Sequence, residues 1–440
     1  MSHRPLALIL ASLLVLAPTA RAQSVADTSA TPVSSTTTRD TLRFRPDWTS
    51  HGVATHLDSL WHAQRSTEWL MAPIGDHLLD DPAAWTSIAS KRATSFDITL
   101  DYNRVDQARW GVHLQRQRPL TMMPRLGARL EYATGRRRTL YGVQLEQPLL
   151  PTARFVFGVG MVRRTEHPEL QQVGDLENAL ALLFARTDYR DHFEREGGGV
   201  YLSWRVPDFS TVSVHARRDR WRSLPAARHV VSWFNRGRTL RPNPAIDDGE
   251  SHSVLVRLER LAKRDRNTRA GLYHWIEFDR TGGSLGGDYD YTRVLADVRS
   301  VLRLSPASTL ALRGVVGATT SGALPRQKRF AIGGADGLRA HAIGEVNGDQ
   351  VALAQAEWSF GLWALREHPS GSGLAVIAFT DAGAAWDDAT HRYAVGAQRF
   401  TVDGGFGLAA SEDAMRVYVA RDLARPGSPM VWSLRLQRPF

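Results

Sequence analysis

The chain has 440 residues, 43% of them hydrophobic, with 55 Lys and Arg against 45 Asp and Glu, 36 glycines and no cysteine. Without disulfides to staple it, a chain of this size needs either a large core or a membrane to fold into. A formal net charge of +10 with no compact basic motif argues against nucleic-acid binding; arginines facing anionic lipid headgroups or a charged interior suit an envelope protein better.

The basic pair His3-Arg4, the apolar run from Leu6 to Leu16 and the small residues Ala20-Arg21-Ala22 follow the order of a secretory signal peptide, so residues 1–22 are expected to be removed. The apolar run is shorter than the roughly 18 to 20 residues a membrane-spanning helix needs, and no later stretch approaches that length. Residues 23–39, rich in Thr, Ser and Ala, bury too little surface to offset ordering. Between Trp48 and Trp85, Val53, Leu57, Leu60 and Trp61, then Trp69, Leu70 and Ile74, recur at helical spacing, with Pro73 as an interruption. Residues 23–94 therefore read as a disordered tether plus short periplasmic helices.

From Ser95 the hydrophobic period changes to two. Phe96, Ile98, Leu100 and Tyr102 alternate with Asp97, Thr99 and Asp101, and Trp110, Val112 and Leu114 alternate with His113 and Gln115. Segments of this kind recur to the C-terminus, about eleven before a glycine-rich stretch at residues 329–348 and about five after it. They predict an all-β fold: a transmembrane antiparallel β-barrel of about 16 strands over residues 95–440, with a short, partly helical N-terminal segment. In hydrocarbon an unpaired sheet edge is not viable, so the first and last strands are expected to meet. A soluble β-sandwich is the rival, and it explains neither the turn lengths nor the terminal aromatic.

Short joins around Pro148, Pro207 and Pro306 alternate with long ones at Thr165 to Glu196, Trp221 to Glu250 and Ser321 to Gly348. Bacterial barrels place short turns in the periplasm and long loops outside. With that sidedness, residues 178–187 cannot be a spanning strand, and they read as a helix inside an external loop. At the end of the chain Trp432, Leu434, Leu436 and Phe440 share one face, as expected of a closing barrel strand with Phe440 as its C-terminal signal.

The stretch from Arg329 to Phe360 gathers Gly333, Gly334, Gly337 and Gly344 around a lone Arg339, then enters an alternating strand. On that strand Gln355, Glu357 and Ser359 lie opposite Trp358 and Phe360, which turns Glu357 inward. A loop this long without structure of its own is commonly functional.

Three matches carry a family resemblance: Arg329-Phe330-Ala331-Ile332-Gly333-Gly334, Gly337-Leu338-Arg339, and Phe379-Thr380-Asp381-Ala382-Gly383-Ala384-Ala385-Trp386. Together they resemble the BamA/TamA-type outer-membrane assembly factors, in their C-terminal bacterial surface antigen domain. The resemblance implies a sixteen-stranded barrel whose sixth external loop dips into the interior. It also implies that Arg339 binds Asp381, with Glu357 as a second acceptor, and that Gly333, Gly334 and Gly337 shape the loop. Two features depart from the family: Ala340 and His341 follow the arginine where the family has glycine and an aromatic, and no polypeptide-transport-associated domain is recognisable before the barrel.

The resemblance implies a non-enzymatic role in insertion or translocation of protein or lipid at the cell outer membrane. Expected partners are outer-membrane lipid and lipopolysaccharide, together with unfolded outer-membrane proteins or other assembly components. A passive pore or structural barrel is the alternative. A hydrolase is a second one, resting on Gly282-Gly283-Ser284-Leu285-Gly286, a G-x-S-x-G run that here joins two strands instead of a strand and a helix. The 15 histidines show no metal-binding spacing, and neither a metal site nor a cofactor is expected from the sequence.

Overall fold

The computed structural model describes residues 94–436, apart from 117–121, 151–154, 206–210, 236, 238, 261–270, 306, 363–373 and 411–414. The expected signal peptide, the tether with its helices, and Phe440 lie outside the described residues.

Sixteen strands form one antiparallel sheet, each hydrogen-bonded to the next. The first half comprises β1 (Thr94–Asn103), β2 (Gln107–Arg116), β3 (Arg125–Ala133), β4 (Arg138–Pro148), β5 (Phe155–Glu166), β6 (Phe193–Arg205), β7 (Thr211–Ser223) and β8 (Gly249–Arg260). It continues through β9 (Gly271–Thr281), β10 (Tyr291–Ser305) and β11 (Ser308–Gly322). A two-residue hairpin, β12 (Phe330–Ala331) with β13 (Asn347–Gly348), forms a separate small sheet within the glycine-rich loop. The wall then resumes with β14 (Gln350–Gly361), β15 (Ala375–Trp386), β16 (Thr401–Ala410), β17 (Met415–Asp422) and β18 (Val431–Arg435).

The two faces of this sheet invert the pattern of a water-soluble protein. Ile98, Leu100, Phe406 and Trp432 are 70–79% exposed, whereas Arg257, Arg293, Asp297 and Asp381 are at most 1% exposed on the opposite face. An apolar outside and a charged inside are stable together only where hydrocarbon surrounds the sheet and paired charges fill it. Among the described residues no helix is long and apolar enough to cross a membrane.

Antiparallel order places the connections 167–192, 224–248 and 323–349 on the same end of the sheet. The first of them carries α1 (Asp175–Ala185), which overlaps residues 178–187, expected to be helical, and begins three residues earlier. Asp175 and Glu177 in its first turn complement the helix dipole, and Arg186, with φ +52°, closes its end.

Several strands run further than the sequence pattern indicates. β6 begins at Phe193 instead of Gly197, and β7 reaches Ser223 instead of Arg220. The added residues are mostly charged and read as loop, yet each charge finds a partner across the sheet. Arg195 lies 2.8 Å from Asp219, and Glu194 accepts from Arg136 at 2.6 Å and from Arg222 at 2.9 Å. Gly197 of β6 runs tight against β7, where a Cβ would sit 2.3 Å from the Arg218 carbonyl oxygen.

Candidate functional site

The glycine-rich loop folds back onto the charged face. Phe330, Ile332 and Leu338, all at most 2% exposed, pack with Leu295, Val315, Val351 and Leu353 of the wall. The loop reverses within very little space. A Cβ on Gly333 would lie 2.2 Å from the Ala342 carbonyl oxygen and one on Gly337 1.9 Å from that of Ile332, while Gly334 takes φ +105°. Glycine meets both demands. Leu338 can then donate its N–H to the Ile332 carbonyl at 2.6 Å, which closes the tip.

Arg339 stands at that tip and is 6% exposed. Its Nη1 donates to Glu357 Oε2 at 2.9 Å and its Nη2 to Asp381 Oδ1 at 3.1 Å, with Nε 2.9 Å from Asp381 Oδ2. The guanidinium also lies 3.9 Å from the Phe379 ring centroid and 4.8 Å from that of Tyr418. Arginine suits this position because its planar fork can meet two carboxylates while its faces stack on aromatics.

The structure therefore brings together Arg339, Glu357 and Asp381 and sets Gly333, Gly334 and Gly337 around the turn that aims the arginine. It adds residues that the sequence reading did not single out. Arg416 donates to Glu357, and the Tyr418 hydroxyl donates to Glu357 Oε2 at 2.9 Å. Gln355 bridges wall and loop, donating to Asp381 Oδ1 at 3.1 Å and to the Gly337 carbonyl at 2.8 Å. The usable signal was alternation on β17, which puts Arg416, Tyr418 and Ala420 on one face.

A second arginine cluster also engages the loop. Arg435 of β18 donates through Nε to Glu177 of α1 at 2.6 Å and through Nη2 to Asp336 of the loop at 2.9 Å. Asp336 also accepts the Val173 N–H, just before α1, at 2.8 Å. The helix packs against β1, and its Asp175 lies 3.9 Å from Arg109 of β2. One helix thus touches both the beginning and the end of the sheet.

The Omp85 superfamily domain model matches residues 252–410, a span holding the loop, Arg339, Glu357 and Asp381. Those residues are similar to the Omp85 superfamily domain, and the sheet has the fold of an outer-membrane β-barrel. The crystal structure of BamA from Haemophilus ducreyi lacking POTRA domains 1-3 superposes with a TM-score of 0.51 at 13% identity, covering 78% of this chain and 70% of that one. CdiB from Acinetobacter baumannii gives 0.40 at 13% identity, over 78% and 59% of the two chains. CdiB from Escherichia coli gives 0.42 at 9% identity, over 78% and 62%. A search of curated proteins returns no match. The Omp85 domain holds most of the G-x-S-x-G run's surroundings as well, and there Ser284 is exposed in a single 3-10 turn while His252 bonds to the Leu285 carbonyl at 2.8 Å.

Proposed function

We propose that this Omp85-type barrel inserts or translocates protein or lipid at the outer membrane, with the inward loop bracing the wall through Arg339 and with the first and last strands as the part that yields. The observation that carries this reading is the placement of α1, whose residues reach Arg435 on the last strand while the helix packs against the first. Such an arrangement favours a seam that is held from inside by polar contacts, which can be broken and remade, over one sealed by apolar packing. No step of this kind needs a nucleophile or a general base.

The test uses the full chain in liposomes and a urea-unfolded small outer-membrane barrel as probe, with appearance of protease-protected probe as the readout. Probe insertion is expected to accelerate over empty liposomes, and a crosslink between cysteines placed at Leu100 and Leu434 is expected to abolish the acceleration. Equal rates with and without the crosslink reject a yielding seam. In parallel, transbilayer movement of a fluorescent phospholipid separates lipid from protein as the cargo.

The polar interior also favours a passive pore as a second reading. Planar-bilayer conductance of the intact chain against a variant lacking residues 323–349 distinguishes them: a large steady conductance in the intact protein supports the pore.

A further inference from the structure

Three aspartates form a row across neighbouring strands. Asp381 of β15 lies opposite Asp403 of β16, and Asp403 lies opposite Asp422 of β17. All three are at most 4% exposed. Like charges directly opposite each other on a sheet repel, and burial strengthens the repulsion unless cations answer them. Arg339 answers Asp381. Asp403 and Asp422 face instead the imidazole of His341, two residues along the loop, at the position where the family resemblance would put an aromatic ring; Asp422 Oδ2 also has the largely exposed Arg425 Nε at 3.5 Å.

The geometry around that imidazole is not that of hydrogen bonding. His341 Nε2 lies 3.4 Å from Asp403 Oδ1 and 3.7 Å from Asp422 Oδ2, and both Nε2 and Asp403 Oδ1 are buried with no hydrogen-bond partner. His341 as a whole is 9% exposed. The remaining atoms of the three residues are already engaged. Asp403 Oδ2 accepts the Ala340 N–H at 2.7 Å, and Asp422 Oδ1 accepts the Ala424 N–H at 2.8 Å. On the other side of the ring, Nδ1 lies 3.2 Å from Glu345 Oε1, and Glu345 Oε2 accepts the Ala342 N–H at 2.8 Å. A carboxylate oxygen can only accept, so this contact sets the imidazole proton on Nδ1. Nε2 is left with a lone pair pointing at two carboxylate oxygens.

We infer that His341, Asp403 and Asp422 form a binding site for a divalent transition-metal ion that fastens the loop tip to β16 and β17. One imidazole nitrogen and two carboxylate oxygens are an ordinary ligand set for Zn²⁺ or Mn²⁺. Two ligand atoms each about 2.1 Å from a tetrahedral ion lie about 3.4 Å apart, close to the 3.4 and 3.7 Å that separate Nε2 from the two carboxylate oxygens. The three candidate atoms lie within 4.8 Å of one another. Glu345 supplies the carboxylate-histidine contact that commonly fixes the tautomer of a metal-binding imidazole. Three protein ligands leave one position for water. The ion would add a second fastening to the tip beside that of Arg339 and would neutralise the two aspartates the arginine does not reach.

The full chain, folded in detergent, stripped with a chelator and desalted, is to be loaded with Zn²⁺ or Co²⁺ and its bound metal measured. About one ion per chain is expected, with a Co²⁺ visible absorption band and an upward shift of the thermal unfolding midpoint on Zn²⁺ addition. Glu345→Gln is expected to weaken binding about 10- to 100-fold, and His341→Gln and Asp422→Asn to weaken it further and remove the thermal shift. Heat-modifiable gel mobility identifies folded variants, and Asp422→Asn spares the Ala340 contact that Asp403 makes. A wild-type protein that stays metal-free overturns the site. So do folded His341→Gln and Asp422→Asn variants that hold as much metal as the wild type, because the ion would then sit on other histidines.

Discussion

Two arginines hold the same loop, Arg339 from within it and Arg435 from the wall, and they do different work. Arg339 reaches from the loop to Glu357 and Asp381, acids on adjacent strands β14 and β15, so its bonds tie the loop to an already continuous piece of wall. Arg435 reaches from β18 to Glu177 and Asp336, which belong to two separate connections, and one of these carries the helix that packs against β1. The first cluster is surrounded by aromatic rings and further side-chain donors; the second mixes ion pairs with backbone contacts, Arg435 donating also to the Ala335 carbonyl at 2.5 Å and Asp336 accepting the Val173 N–H. A cluster tied to one continuous piece of wall suits a permanent anchor, and one that joins separate segments suits a contact that must open.

The comparison can be broken by stability measurements. Arg339→Ala leaves Glu357 and Asp381 buried beside each other with fewer partners and is expected to cost about 3–5 kcal/mol, read from urea unfolding followed by gel mobility. Arg339→Lys should recover only part of this, because an ammonium cannot span both acids. A loss no larger than that of an exposed pair would show that the loop is held by its apolar contacts alone. Glu177→Gln keeps the shape and some hydrogen bonding at Arg435 and is expected to cost less, about 1–3 kcal/mol. It should raise the rate of probe insertion where Arg339→Ala does not, and similar behaviour of the two variants would erase the distinction.

Acid sharpens the picture at a third contact. Burial disfavours charge on Glu169, in the same connection as α1, but the Arg293 guanidinium and the Lys328 ammonium outweigh it and hold the carboxyl down at about 2. Its ordinary value is 4.5, so the folded state binds its proton later than the unfolded state does. The stabilisation is therefore complete above about 4.5 and is lost as pH falls toward 2. Limited proteolysis of residues 167–192 should increase across that window, and Glu169→Gln should flatten the dependence. The smallest effect is expected at Arg280, whose partner Asp290 is 64% exposed: Arg280→Ala should change stability by less than about 1 kcal/mol.

Much of this architecture is legible in a period of two. Phe96, Ile98 and Leu100 could only face lipid together, and the alternation that sets Glu357 opposite Trp358 places an acid inside wherever the strand lies. The turn lengths carried the sidedness, and sidedness in turn removed residues 178–187 from the strands. Charged extensions such as Glu194 to Glu196 were not legible, since a run of charges reads as solvated until its partners on other strands are known.

Local sequence thus determined which residues alternate, where the chain turns and which glycines permit the tip, because these follow from neighbours a few positions apart. Tertiary structure alone decided that Arg435 meets Glu177 across 258 positions and that three aspartates from separate strands stand in one row beside His341. Register and loop return bring such groups together, and electrostatic cost or gain exists only at the distance they create.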